Sequence, residues 1–256
     1  MAAHSGRTKP RSLSLVTFNA NGLVRQIDLV REFIREHPVD IMLVQETFLK
    51  PSNRDQKVPN YHLIRNDRVS AREGTAIYYK RSLHCIPLDP PALSNIEASM
   101  CRVSMTGHQS VTLASVYLSP SKSLLESDIR SLLSTGDAAL LAGVLNSKHI
   151  RWYSNRIDRR GRELDRLTSL INFDIIATQA PTHFLANYHP ETLDIAVLKD
   201  VTLQLRTIET LSELDSDHRP VLIQLEPQLN LPHPTRIVLD WKQLDTELQY
   251  LSNLPF

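Results

Sequence analysis

Polar side chains suited to hydrolytic chemistry follow several apolar runs of this 256-residue chain. Carboxylates bind hard cations, a histidine beside a carboxylate moves protons, and amide and phenol groups donate to phosphate oxygens. These are the residue types that metal-assisted hydrolysis of a phosphodiester needs. The set comprises Asn19, Asn21, Glu46, Tyr117, Asn146, Asp194, Asp217 and His218.

Each member of this set also has an ordinary structural interpretation. The Asn-Gly pair at 21–22 is typical of a turn, and Glu46 suits a solvated edge or a helix cap. The Asp-His pair at 217–218 is commonly a structural hydrogen-bonded pair. The hydrolytic interpretation therefore depends on a fold that brings the set together.

The chain alternates between apolar runs that predict strands and amphipathic stretches that predict helices. Apolar residues at 23, 27, 30 and 34 predict a helix that ends near Pro38, and further helices are predicted over 125–132 and 161–170. This order favours a mixed sheet with helices packed outside it, and sites in such sheets lie at the carboxyl ends of strands. The predicted strands are 13–18, 40–46, 75–80, 100–105, 111–117, 138–145, 194–198 and 220–225.

Composition narrows the class of protein. Lys and Arg number 29 against 28 Asp and Glu, so the net charge is +1 and bulk positive charge does not hold this chain to nucleic acid. The two cysteines exclude a disulfide framework and a Cys-rich zinc site, and neither a phosphate-cradling glycine loop nor an H-E-x-x-H pair occurs. The longest apolar run, 138–145, is shorter than the roughly 20 residues of a membrane helix, and no secretory signal is present. We expect a soluble intracellular protein with no membrane partner.

Three motifs resemble one superfamily. N-x-N-G at 19–22, Q-E-T at 45–47 and S-D-H-R-P-V at 216–221 are similar to those of the endonuclease/exonuclease/phosphatase superfamily, over about residues 12–226. P-T-H-F at 181–184 and N-S-K-H-I-R-W at 146–152 resemble, within it, the endonuclease domains of non-LTR retrotransposons of the jockey and telomere-targeting kind.

The resemblance implies an α/β, DNase I-like fold: a four-layered α/β sandwich in which two mixed β-sheets are flanked by helices. It implies a basic flexible arm over 1–11, the endonuclease domain over 12–226, and a linker or the start of a following module over 227–256. It also implies a nuclear location, a duplex DNA target, and a reverse transcriptase module in the same polyprotein. The activity would be nicking of one DNA strand, leaving a 3′ hydroxyl that primes target-primed reverse transcription.

The resemblance also implies a role for each residue of the set. His218 would act at the scissile phosphate as base or electrostatic stabiliser, and Asp194 would fix its tautomer. The ligands of Mg²⁺, or of Mn²⁺ as a substitute, would be Glu46, Asn21 and Asp217. The donors to phosphate oxygens would be Asn19, Tyr117 and Asn146.

One position departs from the superfamily pattern. Gly-Asp-x-Asn is expected, and the chain has Val144 where the aspartate should orient or deprotonate the attacking water. Valine can neither accept a proton nor hold a water, and loss of a general base typically lowers the rate about 10²- to 10⁴-fold. We expect a nuclease with strongly impaired cleavage.

Basic and aromatic residues supply candidate DNA contacts. An arginine-rich stretch follows Asn146, a hairpin is predicted over 178–191, and a third loop lies near residue 66; a solvated helix face and a hairpin with buried aromatics are the alternatives. The candidates are Lys148, Arg151, Arg156, Arg159, Arg160, Thr182, His183, Phe184, Tyr188, Arg65 and Arg68.

Two other functions remain open from the sequence. Val144 leaves room for a non-catalytic DNA-binding module, and the superfamily also includes abasic-site-type repair endonucleases and phosphatases acting on lipid head groups. Ser119-Pro120 stands where the repair enzymes have an asparagine, which disfavours the repair assignment.

Overall fold

Two six-stranded mixed sheets dominate the computed structural model, which describes residues 7–68, 73–185 and 189–228. The helices are α1 (Leu23–Glu36), α2 (Glu126–Leu133) and α3 (Arg159–Ile171), with a 3-10 turn at Ile150–Trp152. The strands are β1 (Leu13–Asn19), β2 (Ile41–Gln45), β3 (Tyr61–Asn66), β4 (Thr75–Lys80), β5 (Cys85–Leu88), β6 (Ile96–Val103), β7 (Val111–Leu118), β8 (Ala138–Val144), β9 (Asp174–Ala177), β10 (Asp194–Lys199), β11 (Gln204–Thr210) and β12 (Val221–Glu226).

Each sheet is built around one parallel pair of strands. The first sheet has the order β11-β12-β1-β2-β4-β3, and the second has the order β5-β6-β7-β8-β10-β9. Strands β1 and β2 are parallel, as are β7 and β8, and the other neighbours are antiparallel. The carboxyl ends of the four parallel strands therefore carry the loops that hold most of the predicted site residues.

Three apolar layers separate the sheets and helices. One cluster, including Leu15, Leu43 and Leu113, fills the space between the sheets. A second joins α1 to the outer face of the first sheet, and a third joins α2 and α3 to the outer face of the second. The predicted four-layered sandwich is confirmed.

Four strands escaped prediction because two of them mix polar and apolar residues and the other two are very short. Strands β3 and β11 are edge strands whose side chains are mostly half-exposed or exposed, and β5 and β9 have only four residues each. Strand β6 begins at Ile96, four residues before the predicted start at 100. The sequence did not indicate these residues because the buried polar side chains of Glu97 and Ser99 interrupt the apolar pattern.

Hydrogen bonds join the two sheets near the end where the site residues lie. Gln45, at the end of β2, is fully buried, and its Nε2 donates to Ser115 Oγ of β7 at 2.9 Å. Ser115 Oγ in turn donates to the carbonyl of Val44 at 2.8 Å. Because the site draws residues from both sheets, these bonds fix the spacing of its two halves.

Three parts of the sequence predictions lie outside the described residues. They are Tyr188 of the predicted hairpin, residues 1–6 of the basic arm, and residues 229–256 of the linker or following module. Within the described part of the arm, Thr8 N donates to the carbonyl of Ser82 at 2.6 Å. None of the helices in the described part of the chain is long and apolar enough to cross a membrane.

Candidate active site

The second sheet brings three site positions into one row at the ends of its central strands. Tyr117 pairs with Val144 in the β7–β8 register, and Val144 pairs with Asp194 in the β8–β10 register. Paired residues on neighbouring strands point to the same face, with Cβ atoms about 4.5–5.5 Å apart. Val144 therefore lies between the phenol and the carboxylate.

Backbone hydrogen bonds continue beyond the ends of β1 and β2. Gly22 N donates to the carbonyl of Glu46 at 2.9 Å, and Leu23 N to the carbonyl of Thr47 at 3.0 Å. Asn21 and Glu46 have positive φ values of 43° and 47°, so the chain turns sharply just after each strand. These turns set the two side chains at the end of the sheet, next to each other.

Asn19 holds Glu46 rather than facing a substrate. Its side chain is 1% exposed, its Nδ2 donates to Glu46 Oε1 at 2.7 Å, and its Oδ1 accepts from Asn21 N at 3.1 Å. The predicted donation from Asn19 to a phosphate oxygen is thereby corrected, because the amide is buried against Glu46 and has almost no surface that a substrate could reach. One oxygen of Glu46 is fixed by this bond.

Asp217 is surrounded by donors. Its Oδ1 accepts from Asn21 Nδ2 at 3.1 Å and from Ser216 Oγ at 3.2 Å, and its Oδ2 lies 3.7 Å from His183 Nε2. Hydrogen bonding with His183, followed by the charge of His218 and the bonds to Ser216 and Asn21, holds the pKa of Asp217 well below its usual range despite burial. The carboxylate is therefore ionised at neutral pH.

His218 and Asp194 form a buried pair. Nδ1 of His218 lies 2.8 Å from Asp194 Oδ2, and the two side chains are 6% and 0% exposed. Burial alone would lower the pKa of His218, but the charges of Asp194, Asp217 and Glu46 together raise it above its usual value of 6.5. With Nδ1 bonded to Asp194, Nε2 is the ring nitrogen that remains for a substrate.

Thr182 positions Asp194. The side chain is fully buried, and its hydroxyl oxygen accepts from Leu193 N at 3.0 Å and from Asp194 N at 3.2 Å. Arg219 N donates to the carbonyl of Thr182 at 2.7 Å, which ties the segment after His218 to the same place. The predicted contact between Thr182 and DNA is corrected, since this side chain has no accessible surface.

Tyr117 and Val144 form the apolar floor beside this pair. Together with Leu193 they make a small buried cluster, in which Tyr117 is 4% and Val144 1% exposed. Burial, then the charge of Glu46 and a hydrogen bond to it, raise the pKa of Tyr117 far above its usual range. The phenol is therefore neutral at neutral pH.

Arg160 holds the loop that carries Asn146. Its guanidinium donates to the carbonyls of Lys122 at 2.8 Å, Asn146 at 3.3 Å and Pro120. Asn146 has a φ of 48° and uses one amide hydrogen on the carbonyl of Leu118 at 2.9 Å, which leaves the second for a ligand. Arg160 is thereby corrected from a DNA contact to a structural residue.

The loop is further fixed at the start of α3. Asp158 caps this helix, accepting from Gly161 N at 2.6 Å and from Lys148 N at 3.1 Å. Gly161 packs directly against the carbonyl of Lys148, where a Cβ atom would overlap the backbone. In sequence this stretch is distinguished only by its charge, and nothing in it indicates that it holds the loop.

An open cleft of about 640 Å³ lies at the end of the first sheet. Oxygen donors meet here, which suits a hard cation such as Mg²⁺ better than a soft one. Asn21 Oδ1 makes no hydrogen bond within the described residues, and the Glu46 carboxylate keeps lone pairs beyond its bonds to Asn19 and Tyr117, so these oxygens fit a cation. The cleft is lined by Asn21, Gly22, Val24, Arg25, Glu46, Thr47, Phe48 and Asp217.

The remaining predicted DNA contacts differ in whether an acidic side chain pairs with them. Lys148 and Arg156 both pair with Glu191, the latter at 3.5 Å, and Arg151 pairs with Asp165. Arg159 is exposed and pairs with no acid among the described residues.

Arg65 is a structural residue. It is 16% exposed, pairs with Asp67 at 3.0 Å and Asp55 at 3.2 Å, and donates to the carbonyl of Asn53 at 2.9 Å. Its predicted DNA contact is corrected, because these bonds occupy the guanidinium.

Three residues near the site were missed or given another role by sequence reasoning. His183, predicted as a DNA contact, stacks on His218 with ring centroids 4.4 Å apart. Arg219 lies over the ring of Phe184 at 4.1 Å, so one face of this predicted DNA wedge is covered. Arg25 is an exposed cation in the cleft, and only its place three residues after the N-x-N-G turn could have indicated it.

A comparison with known protein families identifies the family of this chain. Residues 16–218 match the Endonuclease/Exonuclease/phosphatase family. The chain therefore belongs to this family, as the motifs predicted.

Individual relatives point the same way. The RNA-directed DNA polymerase from mobile element jockey of Drosophila melanogaster is 30% identical over 96% of this chain. The chain spans only 28% of the length of that relative. The endonuclease domain of TRAS1, a telomere-specific non-LTR retrotransposon, superposes with a TM-score of 0.68 at 19% identity, covering 85% of this chain and 99% of that domain. The AP endonuclease LMAP from Leishmania major has the same fold, with a TM-score of 0.64 at 14% identity and coverage of 85% and 89%.

Proposed function

We propose that this chain is the endonuclease domain of a retrotransposon polyprotein, which nicks one strand of duplex DNA in a Mg²⁺-dependent reaction. The observation that carries the proposal is the buried pair of Asp194 and His218, 2.8 Å apart, beside the oxygen donors of the cleft. The jockey relative, named as an RNA-directed DNA polymerase, supports a reverse transcriptase module as the partner of this domain. Nicking of chromosomal DNA would place the protein in the nucleus.

Hydrolysis would join a water oxygen to phosphorus and break the bond from phosphorus to the 3′ oxygen. A proton passes to that oxygen, leaving a 3′ hydroxyl on one side of the nick and a 5′ phosphate on the other. His218, protonated through its pairing with Asp194, stabilises charge on the phosphate through Nε2. Tyr117, exchanging its bond to Glu46 for one to the substrate, and the second amide hydrogen of Asn146 are the neutral donors to the phosphate oxygens.

The cation would be held by Glu46, Asn21 and Asp217, with Mn²⁺ as a substitute for Mg²⁺. When bound, it supplies Lewis-acid stabilisation of the phosphate. Asn19, His183 and Ser216 hold these ligands in place by the hydrogen bonds and contacts described above. The roles of the three ligands therefore depend on neighbours that are themselves buried or half-buried.

Val144 limits the rate in this proposal. It lies beside Asp194 and Tyr117, at the position from which a carboxylate would take a proton from the attacking water. An isopropyl group there leaves the water without a base, so cleavage would be slowed about 10²- to 10⁴-fold.

Duplex DNA would be held mainly by exposed cations around the site. Arg25 in the cleft, Arg219 above Phe184, and Arg159 are exposed and free of acidic partners within the described residues. Arg151, Arg156 and Lys148 would exchange their carboxylate partners for phosphates. A chain of net charge +1 depends on such local clusters for its affinity.

The test uses supercoiled plasmid in the Val144→Asp background, where the reaction is fast enough to follow. We expect nicking with Mg²⁺ and none with EDTA, and we expect Val144→Asp/His218→Gln to be at least 10²-fold slower. A DNA polymerase should extend the nicks without further processing, as a 3′ hydroxyl requires. Nicking that survives removal of His218 would contradict the proposal.

A second candidate is a DNA-binding module without catalysis, and the burial of Val144 in an apolar cluster favours it. Duplex binding by the wild type and by Val144→Asp, with no nicking by either, would establish this candidate. Cleavage restricted to oligonucleotides with an abasic site would instead indicate repair activity.

A further inference from the structure

Four charged side chains form a cluster outside the cleft, on the far side of Tyr117. Glu97 lies on β6, Arg68 and Glu73 lie on the connection from β3 to β4, and Lys122 lies on the loop from β7 to α2. Arg68 Nε is 3.2 Å from Glu97 Oε1 and 3.8 Å from Glu73 Oε2. Lys122 Nζ is 3.6 Å from Glu73 Oε1 and 3.9 Å from Glu97 Oε1.

Burial of the Glu97 carboxylate in this cluster costs folding free energy. It is 3% exposed, Oε2 accepts from Gly74 N at 2.7 Å, and Oε1 makes no hydrogen bond within the described residues. Burial, followed by a hydrogen bond with Glu73, raises the pKa of Glu97 to about 7. A buried ion pair contributes little net stability compared with an apolar replacement, so stability alone gives a weak reason for this cluster.

The register of the second sheet places the cluster next to the site. Glu97 pairs with Tyr117, which pairs with Val144, which pairs with Asp194. These four paired residues, one on each of β6, β7, β8 and β10, therefore form one row on the same face of the sheet. Neighbouring strands lie about 4.8 Å apart, so the cluster is one strand beyond the phenol.

The two cations of the cluster keep free donors. The side chain of Arg68 is 43% exposed and that of Lys122 is 28% exposed, whereas the acids beneath them are 3% and 19% exposed. Within the described residues, neither the Nη atoms of Arg68 nor Nζ of Lys122 makes a hydrogen bond. The acids hold the cations from the buried side and leave their donors on the accessible side.

We propose that Arg68 and Lys122 form a phosphate subsite, which binds a backbone phosphate of the DNA strand next to the scissile phosphate. Glu97 and Glu73 are positioning residues that bring the two cations together from separate loops. This inference rests on the proposed function, since it assumes a duplex DNA substrate. It adds Lys122 to the contact surface and gives a reason for the buried Glu97.

The subsite predicts a change in the salt dependence of binding. Each phosphate contact contributes about 0.9 to the slope of log K against log salt concentration for duplex DNA. We would measure binding of a fluorescent duplex by anisotropy in EDTA across a KCl series, using the whole chain and the variants Lys122→Gln, Arg68→Gln and the double substitution. The slope should fall by about 0.9 in the double substitution, which removes the whole phosphate contact, and by less in each single substitution.

The matched control is Arg206→Gln. Arg206 is 63% exposed and pairs with Glu226, at the end of β12 opposite the site, so its substitution removes the same charge from an exposed arginine far from the site. This variant should keep the wild-type slope. A wild-type slope in the double variant would overturn the subsite while leaving the proposed function intact, whereas no duplex binding by the wild type would overturn both.

Glu97→Gln gives a test of opposite sign. Above the Glu97 pKa of about 7, the amide removes a charge that competes with phosphate for both cations, while Glu73 still holds the two cations together, so binding should tighten with an unchanged slope. If the cations only neutralise buried acids, affinity would not change and thermal stability alone would respond. Unchanged affinity in Glu97→Gln would therefore contradict the proposal.

Discussion

Replacing Asp194 by asparagine removes the charge that faces His218 and preserves the shape of the side chain. Breaking a buried ion pair by removing one partner costs about 3–5 kcal/mol, because the remaining charge is left without compensation. An asparagine oxygen can still accept from Nδ1, which lies 2.8 Å away in the wild type. We therefore expect a loss of about 3 kcal/mol in the free energy of unfolding where His218 is protonated.

The loss should depend on pH in a defined direction. The pKa of His218 is raised in the folded state, so the pair contributes stability that is fully present below the usual value of 6.5. This contribution disappears as the pH rises through the folded-state pKa. At alkaline pH the variant should differ from wild type by only about 1 kcal/mol, the cost of a weakened hydrogen bond.

The assay is urea unfolding at about pH 5.5, below the usual histidine pKa of about 6.5, and at about pH 8.5, above it. Asp128→Asn is the matched control, since Asp128 is equally buried but accepts from the backbone N–H groups of Ser94, Asn95 and Ile96 and has no histidine partner. Its penalty should be the same at both pH values. An equal penalty at both pH values for Asp194→Asn would refute the reasoning about the pair.

Two further substitutions test how the site is held. Thr182→Val leaves the backbone N–H groups of Leu193 and Asp194 without their acceptor and should cost about 1–3 kcal/mol by urea unfolding, while Thr182→Ser should cost under half as much. Arg160→Gln frees the loop that carries Asn146 and should lower the nicking rate of the Val144→Asp protein at least tenfold, with little change in duplex affinity. A loss of affinity with an unchanged rate would instead restore Arg160 as a DNA contact.

Much of the fold was predictable because its central strands are buried on both faces. Runs such as 13–18 and 138–145 are apolar almost throughout, and the structure makes strands of them. The edge strands β3 and β11 carry half-exposed mixtures of polar and apolar residues, so no local pattern marks them. The division into two sheets came from the resemblance, since local periodicity cannot say which strands pair.

The residue types of the site were predictable, but the partners of several side chains were not. Asn19 and Thr182 look like ligand contacts in sequence and are buried supports for Glu46 and Asp194 in the structure. Arg160 belongs to an arginine-rich stretch, yet its guanidinium lies on backbone carbonyls. Charge and spacing identify such residues, whereas burial and hydrogen bonding decide their role, and these depend on contacts between segments far apart in sequence.

The central claim is that an otherwise complete nuclease site lacks one carboxylate. The most direct measurement compares initial rates of supercoiled-plasmid nicking in Mg²⁺ for the wild type, Val144→Asp and Val144→Asn, with folding checked by circular dichroism. We predict that the aspartate variant is about 10²- to 10⁴-fold faster than wild type, while the asparagine variant, similar in size but unable to take a proton, stays near wild type. A folded Val144→Asp protein that nicks no faster than wild type would contradict the claim.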